Sequence, residues 1–480
     1  MRRVLFSLLI GFSILAVRGQ SLDVTHFMRI SPFCHYDMPS ASTIYNGYIS
    51  FPGGYVHGGV NLGAIRYGNL FETNAEGYPT TLTATRFVNS LAKNNYLGVH
   101  SNTELLGFGI RIADKFFLTV DYRLAADFDM RYTKDVLGLP VYGNMAYVDQ
   151  PANLDLRPNL NVYQELGVSF RHQINDNMSW GIRPKLLLGV ANLHTNQLSA
   201  QLKTDPVDYS LTMTYNASLM AASAVPFYMT FNGEDGFQLG LDSTATGGTI
   251  AGNAFKNLGM GLDLGFSYKP IESLNISVGL LDLGFIRWKT STHHLSSVIN
   301  DAGGLYDDGS MTFSGLTQSD IQGLMNGDNV SGLLDTLAQY FPLDIETSKP
   351  YTTMLPVRFM VQGDYEFAKF HRVSAAAQFR VASNYFQPSF TIAYDGLFFN
   401  MIDVCVAYTM QRRSFDNLGV GLGLNLGYLN IYAGTQNIIA AFSVKNASQL
   451  TGTVGILFNW GHFDNWRKSN PKKELRSLGA

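Results

Sequence analysis

The sequence predicts an all-β fold, a closed antiparallel transmembrane β-barrel of about 14 strands within a range of about 12 to 16. Three observations predict it. Apolar side chains recur at every second residue over many separate stretches. Charge is scarce, with Asp, Glu, Lys and Arg at 15% of 480 residues, while aromatics reach 13% and glycine numbers 47; average usage is about 25% charged. The chain also opens with an export signal. A mean hydropathy of only +0.02 argues against a bundle of membrane-spanning helices. A net charge of -3 leaves no basic footprint for nucleic acid.

Taking the chain in order, Met1-Arg2-Arg3 precedes an apolar stretch from Val4 to Val17, shorter than the roughly 20 residues of a spanning helix. Val17-Arg18-Gly19 then offers a cleavage site, so residues 1–19 are read as a signal peptide. Residues 20–47 form an N-terminal segment before the barrel, 48–461 the barrel itself, and 462–480 a basic periplasmic tail. In the barrel, Leu106, Phe108, Ile110 and Ile112 share one parity, as do Leu118, Val120, Tyr122 and Leu124. The pattern returns at Leu166–Phe170, Trp180–Val190, Leu258–Tyr268, Ile276–Leu280, Val357–Phe367, Val373–Val381, Phe390–Tyr394, Ile402–Met410, Leu418–Tyr428 and Val454–Trp460. One face is continuous hydrocarbon and the other small or polar, as a lipid-facing wall requires; a soluble β-sandwich would carry charge and Thr there. Trp180, Tyr268, Tyr365, Phe367, Tyr428 and Trp460 fall near strand ends, where interfacial girdles sit. With no water at the bilayer core, such strands must close on themselves.

Short turns at 113–115, 174–177, 270–272, 368–370 and 397–399 alternate with long connections at 67–96, 129–159, 203–257 and 291–350. This is the asymmetry of periplasmic turns and external loops. Two connections carry helical spacing, Thr83–Asn95 and Ser319–Phe341, readable as rim helices or as a gate. Leu211–Ala221 is either a wall strand or an extension over the mouth, and 22–30 is either a strand or not.

If the apolar parities face lipid, Asp121, Arg123, Glu165, Arg171, Arg183, Lys185, Asp263, Arg358, Asp364, Glu366, Arg372 and Arg380 line the lumen. Outside, near midplane, each Arg or Lys would cost ~2–4 kcal/mol and each carboxylate less. An odd-length loop near residue 175 brings Glu165 within cross-strand reach of Lys185. Two readings stay open: a network bracing the wall or a plug, and a substrate path. Asp282 breaks parity, which either a bulge near Leu281 or the strand's emergence from the bilayer explains. Cys405 faces inward and Cys34 lies in the N-terminal segment; they are either a disulfide or two separate thiols. There is no nucleophile elbow, no His-Glu-x-x-His and no phosphate loop. His293-His294 reads as a solvated pair and Asp307-Asp308-Gly309 lacks a full calcium spacing, so neither metal nor cofactor is expected.

Tyr163-Gln164-Glu165-Leu166-Gly167-Val168-Ser169-Phe170, Gly181-Ile182-Arg183-Pro184-Lys185 through Gly189, Leu281-Asp282-Leu283-Gly284-Phe285-Ile286-Arg287-Trp288 and Tyr432-Ala433-Gly434-Thr435-Gln436-Asn437 resemble an uncharacterised family of outer-membrane barrels of the Bacteroidota. More distantly, the polar segment before the first strand looks like the hatch of FadL-type transporters of hydrophobic compounds, a superfamily that includes PorV-like secretion barrels. A FadL hatch carries Asn-Pro-Ala near its end; here Ile44-Tyr45-Asn46-Gly47 lacks the Pro and Ala. The resemblance implies the outer membrane of a Gram-negative bacterium. It also implies a FadL-like conduit for small hydrophobic molecules with a partly plugged lumen, its loops (Phe227, Tyr228, Phe231, Phe237) capturing ligand. The alternative is a non-transporting barrel that partners a secretion or envelope-assembly machine. An enzyme embedded in the barrel is a remote third reading.

Overall fold

The computed structural model describes residues 22–462, apart from 64, 67–69, 74–78, 149, 208–210, 233–235, 243, 298–309, 314–342, 383–384, 412–416 and 443–446. Residues 1–19, expected as a signal peptide, the stretch 319–341, expected as helical, Asp307-Asp308-Gly309 and all of the expected basic tail but His462 lie outside the described residues.

Fourteen antiparallel strands close into a barrel. In chain order they are β1 (Tyr45–Ser50 and Val56–Asn61), β2 (Asn94–Ala113), β3 (Phe116–Thr133), β4 (Leu156–Asn175), β5 (Met178–Thr204), β6 (Leu258–Ile271) and β7 (Leu274–Trp288). They continue with β8 (Val357–Ala368, prolonged by Tyr351–Met354), β9 (His371–Ala382), β10 (Tyr385–Phe398), β11 (Ile402–Gln411), β12 (Leu418–Asn425), β13 (Leu429–Thr435) and β14 (Gln449–His462). Each pairs with its neighbour, and Tyr45 opposite His462 with Gly47 opposite Trp460 seals β1 to β14. Closure leaves no unpaired edge, which is the physical condition for strands in hydrocarbon.

The parity expected of the wall holds. Leu106, Ile392 and Leu422 are more than half exposed on the outside, whereas Asp121, Arg183 and Asp263 are fully buried inside. The outward aromatics Tyr268, Tyr365 and Phe367 lie within a few residues of the short-turn end, where they form a girdle. The short turns fall where expected, with one addition. The stretch 418–428, expected as a single strand, stops at Asn425 and turns at Leu426–Tyr428, with Gly427 at φ +86°. A non-glycine residue is disfavoured in that left-handed conformation.

Long connections join the strands at the opposite end. The expected helix near 83–95 forms over Ala84–Ser90. Leu211–Ser223 is an extension rather than a wall strand: it pairs with the upper part of β5, from Ala191 to Thr204, while β6 pairs with the lower part. Residues 22–30 are not a strand. Asp23 caps a short 3-10 turn at Val24–His26, its Oδ1 accepting from Thr25 N at 3.2 Å. A second such turn runs over Pro32–Tyr36.

The bulge inferred near Leu281 is present. Leu262 pairs with Leu283 and Leu264 with Leu280, so Leu281 and Asp282 oppose Asp263 alone. Asp282 sits at φ +59° and its N–H donates to Asp263 Oδ1 at 2.6 Å. That local twist swings its carboxylate into the lumen. The odd loop between β4 and β5 resolves into a two-residue turn, Asp176-Asn177, plus a bulge at Ile174. Lys185 lies opposite Gly167, diagonal to Glu165, and its Nζ is 3.9 Å from Glu165 Oε2.

Candidate functional site

Residues 22–44 lie against the inward faces of the wall rather than in a sheet. Val24, Phe27, Met28, Ile30, Phe33, Tyr36 and Met38 are buried, packing with Tyr48, Phe117, Met360, Cys405, Tyr432 and Leu457. The inward glycines of β12 become intelligible here. A side chain at Gly423 would overlap Ile30, and one at Gly421 would overlap Met28. On the opposite side a Cβ at Gly181 would overlap the Pro39 carbonyl. The wall is bare of side chains where the segment crosses it.

Polar contacts pin the segment along its length. Tyr55 donates to Asp23 at 3.0 Å and Thr453 donates to it at 2.9 Å. Arg372 donates to the Phe27 carbonyl at 2.6 Å, and Ile30 N donates to Asp403 at 2.9 Å. Arg171 donates to the Ser40 carbonyl at 2.9 Å, and the Ser40 and Ser267 hydroxyls meet at 2.7 Å. Arg29 reaches Glu366 at 3.3 Å near the short-turn end. Tyr36 donates to Glu104, which also accepts from Ser50, and the Arg123 guanidinium lies 3.9 Å from the Tyr36 ring.

Most of the remaining inward charges gather in one chain. Arg183, fully buried, donates to Asp121 at 2.5 Å, Glu165 at 2.5 Å and Asp263 at 3.0 Å. Arg123 pairs with Glu165 at 2.5 Å, and Lys185 pairs with Asp263 at 2.7 Å and Asp282 at 2.5 Å. Arg358 joins Asp282 at 2.6 Å to Asp37 of the N-terminal segment at 2.5 Å. Four cations thus face five carboxylates, with His35 3.8 Å from Asp121 and His26 3.5 Å from Asp37 at the margins. Paired this way the charges tolerate burial that none could bear alone. Burial by itself would push the Asp37 carboxyl up, but Arg358 and His26 hold it well below the usual carboxylate range. Burial likewise pulls the His26 imidazole down, and Asp37 and Gln362 outweigh it, leaving it raised.

The inward charges inferred from parity therefore divide. Asp121, Arg123, Glu165, Arg183, Lys185, Asp263 and Arg358 form this chain. Arg171, Arg372 and Glu366 hold the N-terminal segment instead, and Asp364 accepts from Gln362 at 2.7 Å and Ser374 at 2.6 Å. Arg380 stands apart, nearer the long loops, 3.8 Å from Asp127. Cys34 and Cys405, joined in one of the two readings of the sequence, are both free thiols. Burial pushes the Cys34 thiol up to about 11. Parity misses Glu104, which shares the outward parity of Leu106 but is turned inside by a bulge between them. It also passes over Asp395 and Asp403, whose inward parity was legible, and Asp37, which follows no strand pattern.

Two cavities lie in the lumen. One of about 90 Å³ sits above the N-terminal segment, lined by Leu22, Asp23, His26, Phe33, Tyr36 and Asp37 and by wall residues including Tyr55, Arg123, Tyr163, Arg358 and Gln378. A smaller one of about 20 Å³ lies toward the long loops, lined by Asn61, Tyr96, His100, Asp129 and Gln449. Asp127 and Arg380 border both.

A family model matches residues 39–436. The chain belongs to a family of unknown function, DUF5723. No curated protein matches it. Among solved structures it is similar to the toluene transporter TodX of Pseudomonas putida, at 8% identity over 93% of this chain and 98% of that one, with a TM-score of 0.41. It is also similar to a FadL homologue of Pseudomonas aeruginosa, at 11% identity over 92% and 96% with a TM-score of 0.37. The translocator domain of the autotransporter NalP from Neisseria meningitidis follows at 7% identity over 88% and 91% with a TM-score of 0.31. Likeness at that level is one of barrel form.

Proposed function

We propose that this chain is a conduit in the outer membrane of a Gram-negative bacterium for small, largely hydrophobic molecules, held shut by residues 22–44 as a lumenal plug. The observation that carries the reading is the sequence of spaces along the axis. From the long loops inward come the small cavity, the Asp127–Arg380 pair, the larger cavity and then the segment that fills the short-turn end. Beside the larger cavity, β1 breaks at Phe51–Tyr55: its pairing with β14 lapses between Ile49 and Val56. The break turns inward at Gly53, φ +97°, with Gly54 accepting from Tyr432 at 2.5 Å. This interruption offers a route from the lumen through the wall to the bilayer. In this conformation the larger cavity has room for only about six to nine waters, since one water needs about 10–15 Å³ of such space. Passage therefore requires the plug or the break to move.

Ser40→Cys with Ser267→Cys, in a background with Cys34 and Cys405 replaced by Ser, tests this. Vesicles with a lipopolysaccharide outer leaflet take up a lipophilic dye when the pair is reduced and lose protein-dependent uptake when it is oxidised. Equal uptake in both states removes the plug from the mechanism, and no protein-dependent uptake in either removes the conduit.

A second reading, a non-transporting partner in secretion or envelope assembly, is favoured by the apolar tips of two neighbouring short turns. Phe399 is 89% exposed and Tyr428 76%, and Phe399 and Asn400 hold φ of +55° and +57°. A bulky residue is an outlier there. A stable protein companion in native-membrane purification supports that reading over the first.

A further inference from the structure

Where β6, β7 and the prolonged β8 reach the long-loop end, their outward face carries exposed apolar side chains. Phe255, Leu258, Met260, Phe285 and Met354 are exposed there, with Phe285 between Met260 and Met354 in the ladder. The helix Gly247–Lys256 enters β6 on the same face, since Leu188, of outward parity, is buried beneath Ile250, Ala254 and Ala224. At about 3.3 Å per residue and a tilt of about 40°, β6 climbs about 25 Å between Tyr268, in the short-turn girdle, and Leu258. That is about the height of a barrel's apolar band. The next outward side chains stand at the external headgroups, and they are cations. Arg287 and Lys289 follow Phe285 along the outward face, Lys256 ends the helix, and all three are exposed. Buried Asn257 ties them together: its Oδ1 accepts from Lys289 N at 2.8 Å and Thr290 N at 3.1 Å, and its Nδ2 donates to the Gly189 carbonyl at 3.2 Å.

We propose that Lys256, Arg287 and Lys289 bind the phosphorylated headgroup of an outer-leaflet glycolipid of the lipid A type, whose acyl chains lie along Phe255, Leu258, Met260 and Phe285. The inference rests on the outer-membrane reading and is independent of the conduit, because it concerns the outside of the wall. Among the described residues no ion pair engages these three cations; Lys256 Nζ reaches the Asn253 amide oxygen at 3.5 Å, and neighbouring Lys349 holds Glu346 at 2.9 Å. Their counter-charge therefore comes from outside the described chain. A guanidinium forks onto phosphate oxygens, and the two ammonium groups add point charges beside it. Arg287 and Lys289 are spaced about 7 Å along the chain, with Lys256 reaching the patch from the adjoining element. A headgroup with two phosphates meets all three without crowding like charges onto one anion. Free phosphate would meet the same cations and leave the apolar face below them uncovered. A lipid fills both, with charge at the headgroup level and chains against the exposed side chains.

The test uses native mass spectrometry of the full chain in detergent micelles, titrated with diphosphoryl lipid A, dephosphorylated lipid A, phosphatidylglycerol or inorganic phosphate. Wild-type protein is expected to retain diphosphoryl lipid A about tenfold or more tightly than the dephosphorylated form, since each cation near an anionic surface is worth about fivefold. Lys256→Gln with Arg287→Gln and Lys289→Gln should bring that ratio to within about threefold. Lys115→Gln with Lys369→Gln, which removes exposed cations at the short-turn end, should leave it unchanged. Heat-modifiable migration on gels verifies that each variant keeps a closed barrel. Equal retention of both lipid A forms by wild-type protein, or a ratio untouched by the triple substitution, overturns the site while leaving the outer-membrane reading. Phosphatidylglycerol held as tightly as diphosphoryl lipid A overturns the glycolipid, and inorganic phosphate displacing lipid A at equal concentration overturns a lipid ligand altogether. A wild-type chain that never gives a heat-modifiable barrel overturns the membrane reading and the site together.

Discussion

Replacing Arg183 by Met is the most direct probe of the lumenal charge chain. The guanidinium is fully buried and serves three carboxylates, Asp121, Glu165 and Asp263, themselves at 1% exposure or less. After the substitution Glu165 keeps Arg123 at 2.5 Å and Asp263 keeps Lys185 at 2.7 Å. Asp121 is left with His35 at 3.8 Å. Stranding one buried carboxylate in this way costs about 3–5 kcal/mol. Adding Asp121→Asn removes the stranded charge, so the double variant should recover about 1–3 kcal/mol of that loss. Arg123→Met is the milder comparison, because Glu165 keeps Arg183; about 1.5–3 kcal/mol is expected, the worth of a charged hydrogen bond. Urea unfolding in lipid vesicles followed by tryptophan fluorescence reads all four proteins, with heat-modifiable migration verifying the starting barrel. Arg183→Met within 1 kcal/mol of wild type, or a double variant weaker than the single, would refute the reasoning.

Two further perturbations address the plug. Asp37, with its pKa depressed, stabilises docking above about pH 4 and loses that contribution as pH falls through its lowered value; His26, with its pKa raised, contributes fully below about pH 6.5 and loses that as pH rises through its raised value. Protection of residues 22–41 from hydrogen exchange should therefore peak between those limits. Asp37→Asn should flatten the acid side, and protection that rises or falls steadily across the whole range contradicts the assignment. Gly181→Ala should loosen the plug without opening the wall, since the new methyl meets the Pro39 backbone; about 1–3 kcal/mol of strain is expected. Trypsin should then cut after Arg29 several-fold faster, while Gly452→Ala, which meets nothing, leaves the rate unchanged.

Much of this architecture was legible in the chain because a barrel wall obeys one local rule. Side chains alternate between lipid and lumen, so the parity of Leu166 and Leu186 places Glu165, Arg183 and Lys185 inside before any partner is known. A parity violation is equally legible, and Asp282 marks its own bulge. The rule has no purchase where the backbone leaves the strand. Glu104 is turned inward by a bulge that nothing nearby announces, and the run from Leu418 to Tyr428 keeps its alternation through a turn.

The amino-acid sequence by itself determined the period and the direction of most wall residues, since these depend on neighbours one or two positions away. Tertiary structure alone decided which strand meets which, that Leu211–Ser223 prolongs the wall instead of joining it, and that Asp37 completes a charge chain begun on β3. Those contacts join residues hundreds of positions apart, such as Asp37 and Arg358. Their geometry is fixed by closing the ring and threading it, which no local period encodes.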